Sequence, residues 1–116
     1  PGKRPMHTIL PAIAFRDGVP VRSFGVMGGH YQHLGHDWVI SNWRDFGIDL
    51  HQAIDAPRFP VDNGELRGER PGSGATREPL RRVGHVVVES ERPIGGALMI
   101  FIVRFAGVLH GAYDPL

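Results

Sequence analysis

Apolar and polar positions change period along the chain, and each change marks an element. Thr8 to Phe15 is apolar and β-compatible, Arg16-Asp17-Gly18 supplies a turn, and Pro20 to Val26 reads as the returning arm of a hairpin. In that arm Val21 and Ser23 face one way and Arg22, Phe24 and Val26 the other, an imperfect alternation that predicts a strand covered on both sides. After Gly28-Gly29 the spacing becomes three to four: Leu34, Trp38, Ser41 or Asn42, and Phe46, with Val39 and Trp43 widening the stripe. This predicts an amphipathic helix stopped by Gly47, and Gly35 in its first turns moves the expected start toward His36. Asp49 as N-cap and Gln52 as its capping-box partner open a second, short helix over 50–55, in which Ala53, Ile54 and Ala56 pack and which Pro57 ends.

Further on, Phe59 to Val61 and Glu65 to Glu69 flank Asp62-Asn63-Gly64, the signature of a shallow second hairpin. Pro71-Gly72-Ser73-Gly74 reads as a loop, and Thr76 to Val83 has helical composition, with Pro79 in its first turn and Gly84 as a cap. Val86 to Val88 and Ala97 to Arg104 are strong β runs, the latter returning through Ala106-Gly107 into Val108 to Gly111 as a final hairpin. The order predicts an α+β fold: a mostly antiparallel sheet carrying helices, in a single domain or fragment spanning 1–116. Two good helices cover about one face of such a sheet, so apolar strands on the other face call for a further segment or a homodimer.

Composition narrows the function. At 116 residues the chain has room for one domain. Thirteen Lys and Arg against twelve Asp and Glu give a net charge of +1, so no broad basic field points to nucleic acid or an anionic membrane as partner. The longest apolar run, Ala97 to Val103, falls far short of the ~20 residues of a spanning helix. The absence of cysteine excludes disulfides, a thiol nucleophile and cysteine-ligated zinc, and leaves a periplasmic and a cytoplasmic location equally open. Pro1-Gly2-Lys3-Arg4-Pro5, with neither an initiator Met nor an apolar targeting stretch, reads like the middle of a longer product.

The segment with most chemical promise is Val26-Met27-Gly28-Gly29-His30, where a strand enters, a helix leaves, and two residues carry no side chain. Backbone N–H groups at such a turn can point at an anion or a developing oxyanion, helped by the helix N-terminal dipole. The same glycines would equally serve a tight connection that needs positive φ. His30, His33 and His36 stand at i, i+3 and i+6, a spacing that diverges around a helix, so no metal is expected there. No serine or threonine lies in a recognisable nucleophile elbow, and His7 and Thr8, adjacent on an extended segment, point to opposite faces and make a poor relay. Both can instead offer hydrogen bonds to a ligand, or be polar residues of a strand edge. Gly95-Gly96 reads as a β-bulge in preference to a second close-approach site, and Arg77, Arg81 and Arg82 as a solvated helix face.

Five segments then carry a resemblance: Gly2-Lys3-Arg4-Pro5-Met6-His7-Thr8; Phe24-Gly25-Val26-Met27-Gly28-Gly29-His30-Tyr31-Gln32; Asp45-Phe46-Gly47; Gln52-Ala53-Ile54-Asp55-Ala56-Pro57-Arg58-Phe59; and Gly111-Ala112-Tyr113-Asp114-Pro115. In this order, over nearly the whole chain, they resemble the C-terminal half of the γ-glutamyltranspeptidase small subunit. The resemblance implies an N-terminal-nucleophile hydrolase with an αββα sandwich, in which a precursor cleaves itself to free a threonine whose own α-amino group serves as base. It implies that Gly28 and Gly29 form the oxyanion hole. His7 and Thr8 fall where many members have two serines that hold the glutamyl carboxylate end; Thr8 keeps a hydroxyl, while His7 changes size and charge. Tyr113 stands where a serine is usual, and Leu116 where an arginine often follows.

By the same resemblance, the nucleophilic threonine and an arginine that grips the substrate α-carboxylate belong to an upstream, large-subunit portion of the same protein. That portion is the expected partner, the substrate is a γ-glutamyl small molecule such as glutathione, and no cofactor or metal is implied. The isolated chain is then expected to be inactive. Two other functions stay open: a noncatalytic binding or assembly module that keeps the Gly-Gly turn for structure alone, and an acylase of the same fold with a different acyl group.

Overall fold

In the computed structural model, which describes residues 1–5, 7–69 and 73–114, the opening hairpin consists of β1 (Ala12–Arg16) and β2 (Val19–Met27). Its two-residue turn holds Asp17 at φ 51° and Gly18 at φ 75°, the left-handed pair that matches the twist of the flanking strands. β1 is shorter than the run from Thr8 suggested: Thr8 to Pro11 approach the sheet without joining it. The central sheet is antiparallel in the order β1-β2-β6-β7, with β6 at Gly96–Val103 and β7 at Val108–Tyr113. β7 runs two residues past the expected end at Gly111, and Asp114 adds one more rung by donating from its N–H to the Ala97 carbonyl at 2.9 Å.

Register decides what each face buries. Ala12, Phe24, Met99 and Ala112 lie in one row across the four strands, and Val26 pairs with Ala97 in the next row on that face. Helices α1 (Gln32–Arg44) and α2 (Leu50–Asp55) cover this side, where Val39, Leu50 and Ile54 complete the core with Phe24, Val26 and Met99. The alternate row of Gly25, Leu98 and Tyr113 faces away, together with Ile13 and Ile100. Leu98 is 48% exposed and Ile13 58%, so within this chain the sheet is covered on one side and not, as the pattern of β2 suggested, on both.

The start of α1 also differs from expectation. The chain leaves β2 through Gly28, makes a 3-10 turn at Gly29–Tyr31 and enters the helix at Gln32, four residues before His36. Gly35 does not delay the helix; it lets the helix approach the sheet. A Cβ on Gly35 would stand 2.5 Å from Val26 Cγ1 and 2.8 Å from Tyr31 Cε1. Helix propensity favours alanine over glycine by about 1 kcal/mol, whereas forcing a methyl into a packed contact costs about 1–3 kcal/mol. Gly35→Ala is therefore expected to destabilise the protein by about 1 kcal/mol or more in a urea unfolding titration; a raised midpoint would show that the neighbours yield freely.

α2 begins where expected, with the Asp49 carboxylate accepting from His51 N at 2.9 Å and from Gln52 N at 3.5 Å. These N–H donors, that of His51 foremost, hold the Asp49 carboxyl below its ordinary pKa. The remainder forms a second, three-stranded sheet in the order β3 (Val61–Asp62), β4 (Glu65–Gly68) and β5 (Val87–Glu89), with β4 and β5 parallel. α3 spans Ser73–Arg82, earlier than expected, so Ser73 and Gly74 belong to the helix. Pro71 and Gly72 of the expected loop lie outside the described residues, as do Met6, Pro115 and Leu116 of the family segments. Of the α3 arginines, Arg81 and Arg82 are exposed as a solvated face would have them, with Arg82 3.5 Å from Glu78 and Arg81 donating to the Val87 carbonyl at 3.0 Å, while the half-buried Arg77 pairs with Glu89 at 2.7 Å.

Candidate active site

Gly28 and Gly29 occupy the exposed connection between β2 and the helical segment, at φ 136° and 58°. Both values lie in the region that L side chains rarely adopt, so the turn favours glycine twice. Among the described residues, the turn uses Gly28 as an acceptor, from Tyr31 N at 3.1 Å, while neither the Gly28 nor the Gly29 N–H donates to a loop or cap carbonyl. Two adjacent, exposed glycines thus stand at the head of a helical segment, where first-turn N–H groups lack intrahelical partners and favour negative charge.

The two glycines differ in their surroundings. A Cβ at Gly29 would meet nothing within 4 Å, whereas one at Gly28 would stand 3.2 Å from Gly95 Cα and from Tyr31 Cδ1. Gly95, at φ 66°, lies closer still: its Cβ would come within 2.2 Å of the Met27 carbonyl oxygen and 3.0 Å of Tyr31 Cδ1. The Gly95 position, just before β6, is therefore a close approach of backbone to backbone, and the β2–β6 ladder runs to Gly96 without the bulge that the sequence favoured. The ring of Tyr31 is wedged among Gly28, Gly35 and Gly95 and fixes the floor of the turn.

Below that floor is a buried polar cluster. Arg58, 4% exposed, donates from Nη2 to the Ile54 carbonyl at 2.9 Å and to the Asp114 carboxylate, and from Nη1 to the Ile94 carbonyl at 3.3 Å. Glu69 lies 3.5 Å from Arg58 Nη1 and accepts from Arg58 N at 3.0 Å and from Ile94 N at 2.6 Å. The end of α2, the end of β4, the end of β7 and the loop that carries Gly95 are thereby tied to one guanidinium. Burial pushes the Tyr31 phenol up to about 12, with Glu69 and Asp114 adding to the rise and Arg58 opposing it, so the ring stays neutral. Arg58 and Asp114 stand in two of the resembling segments, but neither was singled out by the sequence. A buried arginine has little local signal when three of its four acceptors, from Glu69, Ile94 and Asp114, come from later segments of the chain.

Of the two residues expected in the glutamyl pocket, one lines a cleft on the β2 side of the turn. Thr8 borders a cleft of about 330 Å³ that reaches Met27, and Gln32, at the start of α1, donates from Nε2 to the Thr8 carbonyl. His7 is exposed and does not line this cleft. The cleft walls are mostly apolar, Ile9, Leu10, Val26 and Leu98 among them, and include no charged side chain. The histidine series separates as its spacing suggested: His36 packs edge-on to Phe24 with centroids 5.3 Å apart, and burial lowers its pKa, while His30 and His33 are exposed. Among the described residues no group of three or more His, Cys, Asp or Glu is placed to hold a metal ion, and no helix is long and apolar enough to cross a membrane.

A family model described as gamma-glutamyltranspeptidase matches residues 1–116. The chain is 32% identical over 123 residues to the glutathione hydrolase-like YwrD proenzyme of Bacillus subtilis, covering 99% of this chain and 23% of that protein. Among solved structures it superposes on a Helicobacter pylori gamma-glutamyltranspeptidase mutant with TM-score 0.86 at 28% identity, covering 98% of this chain and 63% of the other. It superposes on a cephalosporin acylase from Bacillus halodurans with TM-score 0.90 at 35% identity, covering 99% of this chain and 22% of the acylase. The chain thus spans about a quarter of the length of the curated relative.

Proposed function

Because the chain belongs to the γ-glutamyltranspeptidase family, with the α+β fold of part of an N-terminal-nucleophile hydrolase, we propose that residues 1–116 supply the oxyanion hole of an enzyme that cleaves γ-glutamyl amides such as glutathione. The nucleophile is a threonine outside these residues, in a portion of the same protein whose segments pack with this one. Its hydroxyl attacks the γ-carbonyl, its α-amino group takes the proton, and the carbonyl oxygen becomes negative as the tetrahedral intermediate forms. Gly28 and Gly29 N–H groups receive that charge. Collapse of the intermediate breaks the amide C–N bond, returns the proton to the leaving amine and leaves an acyl-enzyme for water or an acceptor amine. Thr8 and His7 form part of the glutamyl pocket, Thr8 from the cleft wall and His7 from the exposed segment before it.

One observation carries this reading: two exposed, positive-φ glycines that open the helical segment directly after Met27, a residue that lines a cleft bordered by Thr8. The test is to express the full-length protein, look for self-cleavage before a threonine, and assay γ-glutamyl-p-nitroanilide. Cleavage with release of p-nitroaniline is expected. A protein that stays intact and inactive would point to the binding or assembly module.

A second reading has its own support. The cleft beside Met27 has no charged lining residue, and the acylase superposes with the higher TM-score, so an apolar acyl group in place of glutamyl fits the same machinery. The same assay with a p-nitroanilide of an apolar acid decides between them: the better substrate by kcat/KM names the acyl class.

A further inference from the structure

The end of the central sheet away from Gly28 presents a different surface. Arg22 stands six residues before Gly28 on β2, about 20 Å away along an extended strand. Its guanidinium carbon lies 3.4 Å over the Trp43 ring and 4.3 Å from the centre of the Phe101 ring, so both faces of the cation are covered and its orientation is fixed. Its hydrogen-bonding is left incomplete. Nη1 reaches the Met99 thioether at 3.9 Å, a weak acceptor, and Nε is buried with no partner.

Two more cations join it. Arg16, from the end of β1, and Arg104, which donates from Nη2 to the Pro20 carbonyl at 3.2 Å, border the same hollow of about 370 Å³. No carboxylate lines this hollow, and among the described residues none of the three arginines has an ion-pair partner. Phe105, 96% exposed, stands at the rim of the same hollow, which Trp43 and Phe101 also line. Three guanidinium groups without counter-charge repel one another. A cavity of this size with aromatic walls and convergent donors of one sign has the make-up of a small-ligand site.

We propose that this hollow binds a small aromatic carboxylate, its head held by Arg16 and Arg22 and its ring against the apolar lining that includes Phe105. A carboxylate supplies the acceptors that these guanidinium groups lack, and a planar ring fills the apolar space that a bare inorganic anion would leave. The site is separate from the Gly28-Gly29 turn and does not depend on the reaction proposed for it.

The test uses the full-length protein and phenylacetate, followed by calorimetric titration and by saturation-transfer NMR. Saturable binding is expected, with phenylacetamide, the neutral isostere, and Arg16→Gln each weakening it by about tenfold, the scale of a charge-assisted hydrogen bond. Arg22→Lys, which keeps the charge but cannot stay stacked as a plane between two rings, is expected to weaken it likewise. Gly29→Val is expected to leave this affinity unchanged. The proposal is overturned by absence of saturation, by equal affinity for phenylacetamide, by inorganic phosphate binding as tightly as phenylacetate, or by an affinity that responds to Gly29→Val and not to Arg16→Gln. Arg16 is exposed and outside the core, so its variant reports on binding even where Arg22 variants fold poorly.

Discussion

Gly29→Val in the full-length protein is expected to lower kcat by about 10²–10³ with a much smaller change in KM, because an oxyanion-hole donor acts mainly on charge that develops in the transition state. The expectation rests on backbone conformation. Gly29 holds φ at 58°, and a β-branched residue there must leave that region, taking its N–H away from the position it shares with the Gly28 amide. Loss of the fold is not needed, since a Cβ at 29 would meet nothing within 4 Å in this chain. Gly29→Ala is the internal control: alanine enters the left-handed region at a cost of about 1 kcal/mol and adds a methyl into open space, so it should retain much more activity than valine. Equal kcat for wild type and Gly29→Val, with the variant folded, would mean that this amide does not hold the oxyanion. A loss confined to KM would assign the turn to ground-state binding.

The same turn shows how far the sequence reaches. Gly-Gly between a strand and a helical pattern is a local signal, and so are the Asp-Gly and Asn-Gly turns and the Asp49 cap; each depends on residues within a few positions of one another, and each appears in the structure. Register effects are not local. Gly35 looked like a weak point of a helix because its cost in an isolated helix is visible in sequence, whereas the contact with Val26 and Tyr31 that demands it exists only after the helix has docked on β2. Gly95 suggests a bulge in sequence for the same reason, its partner being a carbonyl 68 positions earlier in the chain. The parallel pairing of β4 with β5 and the one-sided burial of the central sheet likewise follow from how distant segments meet. Arg58 is the extreme case, since its function as a tie is invisible until α2, β4, β7 and the Ile94 loop have come together.

That dependence gives Arg58→Ala the largest expected effect on stability. The substitution removes the cation and leaves Glu69 and Asp114, whose side chains are 13% and 16% exposed, facing each other without compensation, together with the unpaired carbonyls of Ile54 and Ile94. Breaking a buried pair by deleting one partner typically costs about 3–5 kcal/mol, because the desolvation of the remaining charges is no longer offset. The full-length protein should therefore unfold at clearly lower urea concentration, and Arg58→Lys should recover only part of the loss, since one ammonium cannot reach acceptors placed around a planar fork. The Ile94 loop holds Gly95 against the Met27 carbonyl and Tyr31 beneath Gly28, so the damage should reach the turn as well. Residual activity of folded Arg58→Lys is accordingly expected to fall in kcat more than in KM. An Arg58→Ala variant that unfolds at the wild-type midpoint would show that the cluster is solvated or held by other parts of the protein, and the link from guanidinium to glycine turn would then have to be abandoned.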